Sequence, residues 1–274
     1  MRIGIDTTKI GYCAPVFSDD CFEYIPIPQF NVATTEKSTY GTLRARNSRY
    51  GEFLSDFMHE DRHRFINEES GDPCFYSIDE EGNPLFARDL TPHIDPEFET
   101  NTFGDFWMES GGRIPSDLRK GDYIFFYAGL SSYDADVYKS GRTWQRLKSH
   151  QRRNKCTFLI GFLEIQEIYD IVDENDILEH SSEIGNNAHY KFYEADPEIF
   201  RARNFPTVII RGLDESRLLH KAVQLNKWSP HLGKYSPTDF GRSLGLVPMS
   251  GMRIMKWLDQ GRCRDILRMV KMCK

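Results

Sequence analysis

The sequence predicts an α+β protein built around a small, curved, mixed β-barrel, and three observations support this fold class. Residues 123–127 (YIFFY) form a continuous apolar run of strand length, which is typical of a strand buried on both faces. A second apolar run, 156–165, is interrupted by Gly161, and a glycine inside a strand usually marks the bulge or sharp bend that a small barrel requires. Apolar residues at helical spacing near the C-terminus predict helices that pack on the sheet.

The N-terminal part of the chain is predicted to contribute a hairpin and then a long insertion. Residues 2–5 and 21–27 are β-prone pieces around a turn at 18–20, and Pro26 and Pro28 end the second strand because proline lacks the donor for a ladder hydrogen bond. Residues 31–110 are polar and rich in Gly, Pro, Asn and Asp. Aromatic residues recur within them, so we predict an ordered excursion with one helix or two.

The C-terminal half is predicted to add one strand and several helices. Residues 205–211 (FPTVIIR) are a third buried strand, and the apolar positions of 213–223 predict a short helix that begins at Asp214 or Ser216. Residues 248–274 predict two helices around a break at Gly261.

These elements predict a single domain over 1–274. Its barrel core comes from about 1–30 and 117–245, the insertion is 31–116, and the C-terminal helices are 248–274. We find no secretory signal and no apolar stretch of the roughly 18 residues that a membrane helix needs, so we expect a cytoplasmic protein.

Charge and motifs exclude several classes of function. A net charge of −6 argues against a protein that coats nucleic acid indiscriminately, although the basic stretch 139–155 leaves local phosphate contacts open. The six cysteines are scattered without a CxxC pair or a Cys/His cluster, which predicts reduced thiols. The chain contains no GxGxxG before a helix, no GxxxxGK[ST], no HExxH and no GxSxG. We therefore predict no cofactor and no metal ion.

The order of several segments resembles the PUA-like superfamily, especially its EVE and YTH branches. These segments are RKGD at 119–122, the YIFFY run, FLIGFLEIQEIYDI at 158–171 and LDESRLLHKAV at 213–223. The resemblance covers roughly 117–245, and it implies a curved barrel around a nucleobase pocket.

A narrower resemblance is to the family called nucleotide modification associated domain 3. Three segments carry it in order: PVF…FEYIPIP at 15–28, HIDPEFE…TFGD at 93–105, and GD…FYAGL at 121–130. Phe103 stands where the family pattern has a tyrosine. The resemblance implies a link to modified nucleotides, and it does not decide between a protein that recognises them and an enzyme that acts on them.

His93 and Asp95 are the candidate catalytic pair. Residues two apart project from one face of an extended chain, so the two side chains could act as a general base with its orienting partner, or hold a metal ion. In the structural alternative, Asp95 caps a turn before Pro96 and His93 packs beside it. No third ligand is evident nearby in the sequence, which is why we predict no metal ion.

The candidate nucleotide-binding residues are Asp6, Thr7, Tyr127, Gly129, Leu130, Asn187 and His189. An aromatic at a strand end offers a stacking face, a glycine allows close approach of a ligand, and short polar groups can read base edges. The same residues suit core packing and turns equally well. The candidate phosphate contacts are Arg142, Trp144, Arg146, Arg152 and Arg153, although such a charge run is also typical of a solvated face.

Our leading hypothesis is a binding module that recognises a modified base or nucleotide in a PUA-like pocket, as part of a DNA modification or defence system. The alternative is an enzyme that acts on a modified base or nucleotide with His93 and Asp95 as acid and base. A third hypothesis is a protein-interaction component of such a system. The expected partners are nucleic acid, DNA in preference to RNA, or a modified nucleotide, together with proteins of a modification or restriction system; we expect no membrane partner.

Overall fold

The computed structural model of the chain describes residues 14–24, 26–28, 65–66, 73–74, 77–78, 84–85, 92–110, 112–132, 155–203, 206–229, 231, 233–245 and 258–272. Its strands are β1 Pro15–Val16, β2 Ile27–Pro28, β3 Phe65–Ile66, β4 Pro73–Cys74, β5 Ser77–Ile78, β6 Pro84–Leu85, β7 Pro92–His93, β8 Thr102–Asp105, β9 Tyr123–Ser132, β10 Lys155–Ile171, β11 Thr207–Gly212, β12 Arg217–Gln224, β13 Asn226–Ser229 and β14 Lys234–Pro237. Its α-helices are α1 Glu174–Glu179, α2 Ser181–Ile184, α3 Ala188–Ala195, α4 Pro197–Arg203, α5 Asp239–Ser243 and α6 Gln260–Met272.

The central sheet is strongly curled into a half-barrel. Its strand order is β1-β9-β10-β11-β8, and β12 also pairs with β10. β1 is parallel to β9, whereas the pairs formed by β10 and β11 are antiparallel, so the sheet is mixed. The predicted α+β class with a curved mixed sheet is confirmed.

The two apolar runs that predicted the sheet are adjacent strands. β9 and β10 pair from Lys155 opposite Ser131 to Glu164 opposite Tyr123, and the register shifts between Leu159 and Gly161. A Cβ at Gly161 would lie 2.8 Å from the Phe98 ring, so only glycine lets that ring pack against the strand. The predicted strand pair and the bulge at the glycine are both confirmed.

The main core fills the concave side of the sheet. Alternate residues of β9, including Phe126 and Leu130, meet Phe103 of β8 and Ile160 of β10 in one buried cluster. Val16 of β1 belongs to the same cluster, so both ends of the sheet contribute to it, as expected for the inside of the curl. The other residues of β9, such as Tyr127, pack on the convex side with Ile266 and Val270 of α6. Both faces of β9 are thus covered, which explains why its sequence is continuously apolar.

β11 and β12 share one edge of β10. β11 pairs with Ile165–Ile171 and β12 with Phe158–Phe162, and both run antiparallel to β10. At the interruption between them the Glu164 amide donates to the Ser216 hydroxyl at 2.9 Å. The segment 174–200 packs on the β10–β11 end through a third cluster that contains Ile171, Ile184 and Phe200.

Several details differ from the sequence predictions. Residues 213–223 were predicted as a helix, and β12 lies there instead. Leu218 and Ala222 contact the concave core, whereas Leu219 and Val223 face the other cluster. A four-residue spacing fits both a helix and alternate positions of a strand, so the pattern was ambiguous. Gly261 lies inside the first turn of α6 and does not break it.

The N-terminal segments are described in part. The turn at 18–20 is present, with the Asp20 amide donating to the Phe17 carbonyl oxygen at 3.0 Å and Val16 bridged to Phe22. The predicted strand at 2–5 and the predicted helices of the insertion lie outside the described residues. β8 was predicted as part of the insertion, and it is an edge strand of the central sheet. The division into one domain remains a prediction.

Within the described ranges, none of the helices has the length and apolar character needed to span a membrane.

Candidate functional site

His93 and Asp95 lie close together, but a tight turn brings them there and not the extended chain that the sequence predicts. His93 ends β7, which pairs with β2, and the Asp95 amide donates to the His93 carbonyl oxygen at 3.0 Å. The His93 Nε2 atom lies 4.0 Å from Asp95 Oδ2. The Asp95 side chain is 1% exposed and that of His93 is 21% exposed, so the carboxylate forms the floor of the site and the imidazole reaches toward its opening.

The two carboxylate oxygens of Asp95 have different surroundings. Oδ1 accepts hydrogen bonds from the Gly104 amide at 2.8 Å and from Asn187 Nδ2 at 3.4 Å. Oδ2 is buried and has no hydrogen-bond donor among the described residues. The first oxygen therefore fixes the orientation of the carboxylate, and the second is directed at the histidines.

His189 comes from the first turn of α3 and completes the cluster. Asn187 is the N-cap of this helix, and its Oδ1 accepts from the His189 amide at 2.9 Å. The Asn187 Nδ2 group also donates to the Thr102 hydroxyl at 3.2 Å. One amide side chain thus connects the start of α3 to Asp95 and β8, which fixes its own orientation as well.

Three ligand-type atoms converge at the centre of the site. His189 Nε2 lies 3.9 Å from Asp95 Oδ2, and the ligand atoms of His93, Asp95 and His189 all lie within 4.8 Å of one another. The two imidazole rings meet edge to face, with centroids 5.4 Å apart. Both carboxylate–imidazole distances exceed the length of a hydrogen bond. The three side chains therefore surround a common point without bonding directly to one another.

Burial controls the protonation of the cluster. Burial, together with His189 and the Arg113 charge, lowers the pKa of His93 to about 3. Burial also lowers the pKa of His189, against the opposing effect of Asp105. Burial raises the pKa of Asp95 well above its usual range, although the Gly104 amide offsets part of this effect. At neutral pH both imidazoles are therefore uncharged and carry a nitrogen lone pair.

β8 supplies the wall behind the cluster. A Cβ at Gly104 would lie 2.4 Å from His189 Cδ2, so the absence of a side chain there is what admits the ring. The next residue, Asp105, forms an ion pair with Arg113, whose side chain is 45% exposed. The guanidinium lies over the Phe103 ring at 5.6 Å. The site thus has a buried carboxylate, two imidazoles and a cation beside them.

The structure separates the predicted nucleotide-binding residues into two places. Asn187 and His189 join His93 and Asp95. Leu130 is fully buried in the concave core and Gly129 is buried in β9, whereas Tyr127 packs on the other side, against the cluster that includes Ile266 and Val270. Tyr127 and Leu130 therefore cannot line one pocket with each other.

The other predicted positions lie outside the described residues. These are Asp6 and Thr7 near the N-terminus and the basic positions Arg142, Trp144, Arg146, Arg152 and Arg153 in the connection between β9 and β10. Their roles stay predictions.

Sequence reasoning missed the supporting residues of the site. Gly104 and Asp105 were part of a quoted family segment, but nothing in their spacing indicated that they contact His189 and Arg113. Thr102 belongs to the same quoted segment, and nothing in its spacing indicated that Asn187 donates to its hydroxyl. Arg113 carried no signal. The His93–Asp95 pair at the end of β7 and His189 after the N-cap Asn187 are far apart in sequence. They are recognisable as one site only once the strands are paired.

The fold and the site define an α+β protein with a curled half-barrel sheet and a buried His–Asp–His cluster at its β8 edge. A family model described as nucleotide modification associated domain 3 matches residues 1–234. The chain belongs to this family, and its role is therefore tied to nucleotide modification. Neither the curated proteins nor the solved structures include a significant match to the chain.

Proposed function

We propose that the protein is an enzyme that acts on a base or nucleotide in a nucleotide-modification system, with His93, Asp95 and His189 as the side chains that contact the reacting group. One observation carries this proposal: the Oδ2 atom of Asp95 is buried, lacks a donor among the described residues, and faces two imidazoles. A buried carboxylate oxygen without a partner costs several kcal/mol, and such groups are concentrated at functional sites.

The spacing of the three groups suits an acceptor site for a reacting atom. The carboxylate–imidazole distances of 4.0 and 3.9 Å are too long for a preformed relay, in which aspartate would hold a histidine by a hydrogen bond. They leave room for one atom that touches all three groups. With the carboxylate at the floor and the His93 and His189 side chains 21% and 12% exposed, a substrate group can enter from the histidine side.

A nucleotide substrate is supported by family membership and by the local charge. Arg113 is held by Asp105 and is partly exposed beside the cluster. A guanidinium in such a position binds phosphate oxygens well because its donors form a planar fork. We propose that Arg113 contacts a phosphate of the substrate while the base or sugar reaches the buried cluster.

A PUA-like binding module that recognises a modified base is the second candidate. It is supported by the pairing of β9 with β10 in a curled sheet, and the basic segment between these strands would supply its phosphate contacts. It would act within a DNA modification or defence system, with DNA in preference to RNA. In this case Asn187 and His189 would hydrogen-bond to the base edge and no bond would be made or broken.

The two candidates are separated by the nucleoside content of cells. The chromosomal gene is replaced by an Asp95→Asn or a His189→Gln allele, and total nucleosides are measured by mass spectrometry. His231→Gln, which changes an exposed histidine elsewhere, is the matched control. The enzyme hypothesis expects the amount of at least one modified nucleoside to differ from the wild-type amount in both site variants. The control variant should match the wild type.

Unchanged nucleosides with folded variant proteins would remove the enzyme hypothesis. A binding module expects instead that Asp95→Asn alters the retention of modified DNA over unmodified DNA in a filter-binding assay. Circular dichroism melts of the purified variants establish that they fold.

A further inference from the structure

We propose that His93, Asp95 and His189 bind one divalent first-row transition-metal ion. This goes beyond the proposed function, which requires an acceptor site but no metal, and only a catalytic role of the ion would rest on that function. The sequence predicts no metal because a third ligand is missing near His93 and Asp95. The fold supplies it from α3, since Asn187 and Asp95, 92 positions apart, are joined by a hydrogen bond.

The positions of the ligand atoms suit one ion. The Nε2 atoms of His93 and His189 lie 4.0 and 3.9 Å from Asp95 Oδ2, and all three ligand atoms lie within 4.8 Å. Ligands about 2.1 Å from a tetrahedral ion lie roughly 3.4 Å apart, so each ring must approach the carboxylate by about 0.5 Å and the rings must approach each other by at most roughly 1.4 Å. Small rotations of the side chains supply movements of this size.

The unpartnered carboxylate oxygen is an independent indication of a ligand. Only 1% of the Asp95 side chain is exposed to solvent. Its Oδ2 atom has no hydrogen-bond donor among the described residues and lies near both imidazoles. The other oxygen is held by the Gly104 amide and by Asn187. Ligating carboxylates commonly have this arrangement, in which one oxygen is oriented by outer hydrogen bonds and the other binds the ion.

The donor set selects the class of ion. Two imidazole nitrogens and one carboxylate oxygen suit zinc, iron, cobalt or manganese, whereas calcium and magnesium prefer sites made of oxygen. Three protein ligands also leave at least one coordination position for water or substrate, as in catalytic sites. The neighbouring Arg113 charge opposes a cation, but its ion pair with Asp105 offsets that charge.

The test measures metal binding directly. The protein is purified without a metal-affinity step, and its metal content is measured by inductively coupled plasma mass spectrometry. Chelator-treated protein is then titrated with Co²⁺, followed by the visible absorption of the bound ion, and with Zn²⁺ and Mg²⁺ by calorimetry. We expect one Co²⁺ or Zn²⁺ per chain and much weaker binding of Mg²⁺.

Variants locate the site. His93→Gln, Asp95→Asn and His189→Gln should each weaken Zn²⁺ binding by more than about 100-fold, because each removes a direct ligand. Asn187→Ala should weaken it by roughly 10–100-fold through the loss of an outer hydrogen bond to Asp95. His231→Gln should leave it unchanged. Thermal melts in chelator establish that each variant folds without metal.

The outcomes separate this inference from the proposed function. Stoichiometric binding that the three ligand variants abolish supports the metal site, even if nucleosides do not change in cells and the enzyme hypothesis fails. Binding that is absent, or equally strong in the ligand variants and in His231→Gln, overturns the metal site. If nucleosides change in cells with Asp95→Asn although the purified wild type binds neither Co²⁺ nor Zn²⁺, the metal site fails and the enzyme hypothesis stands.

Discussion

Replacing Gly104 by alanine should damage the site by adding a single methyl group. Gly104 lies in β8 opposite Ile209, and an added Cβ would lie 2.4 Å from His189 Cδ2 and 3.0 Å from both His189 Nε2 and Asn187 Oδ1. Ordinary contact between such atoms begins near about 3.4 Å, so the ring must retreat by roughly 1 Å. The retreat displaces Nε2 from its present position 3.9 Å from Asp95 Oδ2.

Both the stability and the function of this variant can be estimated. Overpacking of this kind costs about 1–3 kcal/mol of the free energy of unfolding, which corresponds to a melting temperature lower by roughly 2–12 °C for a chain of this size. A misplacement of a reacting group by about 1 Å costs roughly 100-fold in rate. We therefore expect Gly104→Ala to melt earlier and to lose most of its Co²⁺ affinity and activity.

The matched control is Gly261→Ala in the first turn of α6. There the nearest atom to the new Cβ is Asp259 Oδ1 at 3.1 Å, which also accepts the Arg262 amide at 2.9 Å, so a shift of a few tenths of an ångström relieves the contact while the hydrogen bond is kept. Alanine is the better helix former, but its advantage of about 1 kcal/mol applies to helix interiors and Gly261 is the second residue of α6, so this variant should melt close to the wild-type temperature. The reasoning is refuted if Gly104→Ala retains the melting temperature and Co²⁺ affinity of the wild type, because His189 would then not be confined by β8.

Three further predictions concern the core, the sheet corner and the protonation of the site. Phe126→Ala, at a fully buried position of the concave core, should lower the free energy of unfolding by about 3–5 kcal/mol in urea titrations. Leu178→Ala, at an exposed position, should change it by less than about 0.5 kcal/mol. Equal effects of the two substitutions would contradict the assignment of Phe126 to the core. Ser216→Ala removes the acceptor of the Glu164 amide and should lower the free energy of unfolding by about 1–3 kcal/mol in the same titrations. An unchanged free energy of unfolding would mean that this hydrogen bond does not stabilise the interruption between β11 and β12. Because the pKa of His93 falls from 6.5 in the unfolded chain to about 3, its contribution to stability is complete above about pH 6.5 and is lost as the pH falls toward 3. Chelator-treated wild type should lose about 2 kcal/mol more than His93→Gln between about pH 7.5 and pH 5, and parallel pH curves for the two would contradict this.

The strands of the sheet could be predicted from the sequence where apolar residues occupy both faces of the strand. Phe126 faces the concave core and Tyr127 faces α6, so apolar residues fill every position of the run and its length alone indicates a strand. The prediction of a helix at 213–223 was wrong because the apolar residues there recur at four-residue spacing. That spacing cannot distinguish a helix from a strand whose two faces are both partly covered.

The site was predictable only where its residues are close in sequence. The pair His93 and Asp95 was found from its two-residue spacing, but its geometry was not, because a tight turn closed by the hydrogen bond from the Asp95 amide to the His93 carbonyl oxygen joins the two residues instead of an extended chain. The contribution of His189 depends on the pairing of β8 with β11 and on the start of α3, which no local pattern encodes. The role of Gly104 is even less visible, since it consists of the space that its missing side chain leaves.

The sharing of β10 between two sets of partners has a consequence for how the molecule opens. Its first half is sandwiched between β9 and β12, whereas its second half is held by β11, to which β8 and the histidine cluster are attached. Detaching β11 would expose the cluster while the first half of β10 stays covered. Amide hydrogens of residues 158–162 should therefore exchange with solvent more slowly than those of residues 166–171. The candidate site would then lie beside the half of β10 that opens more readily.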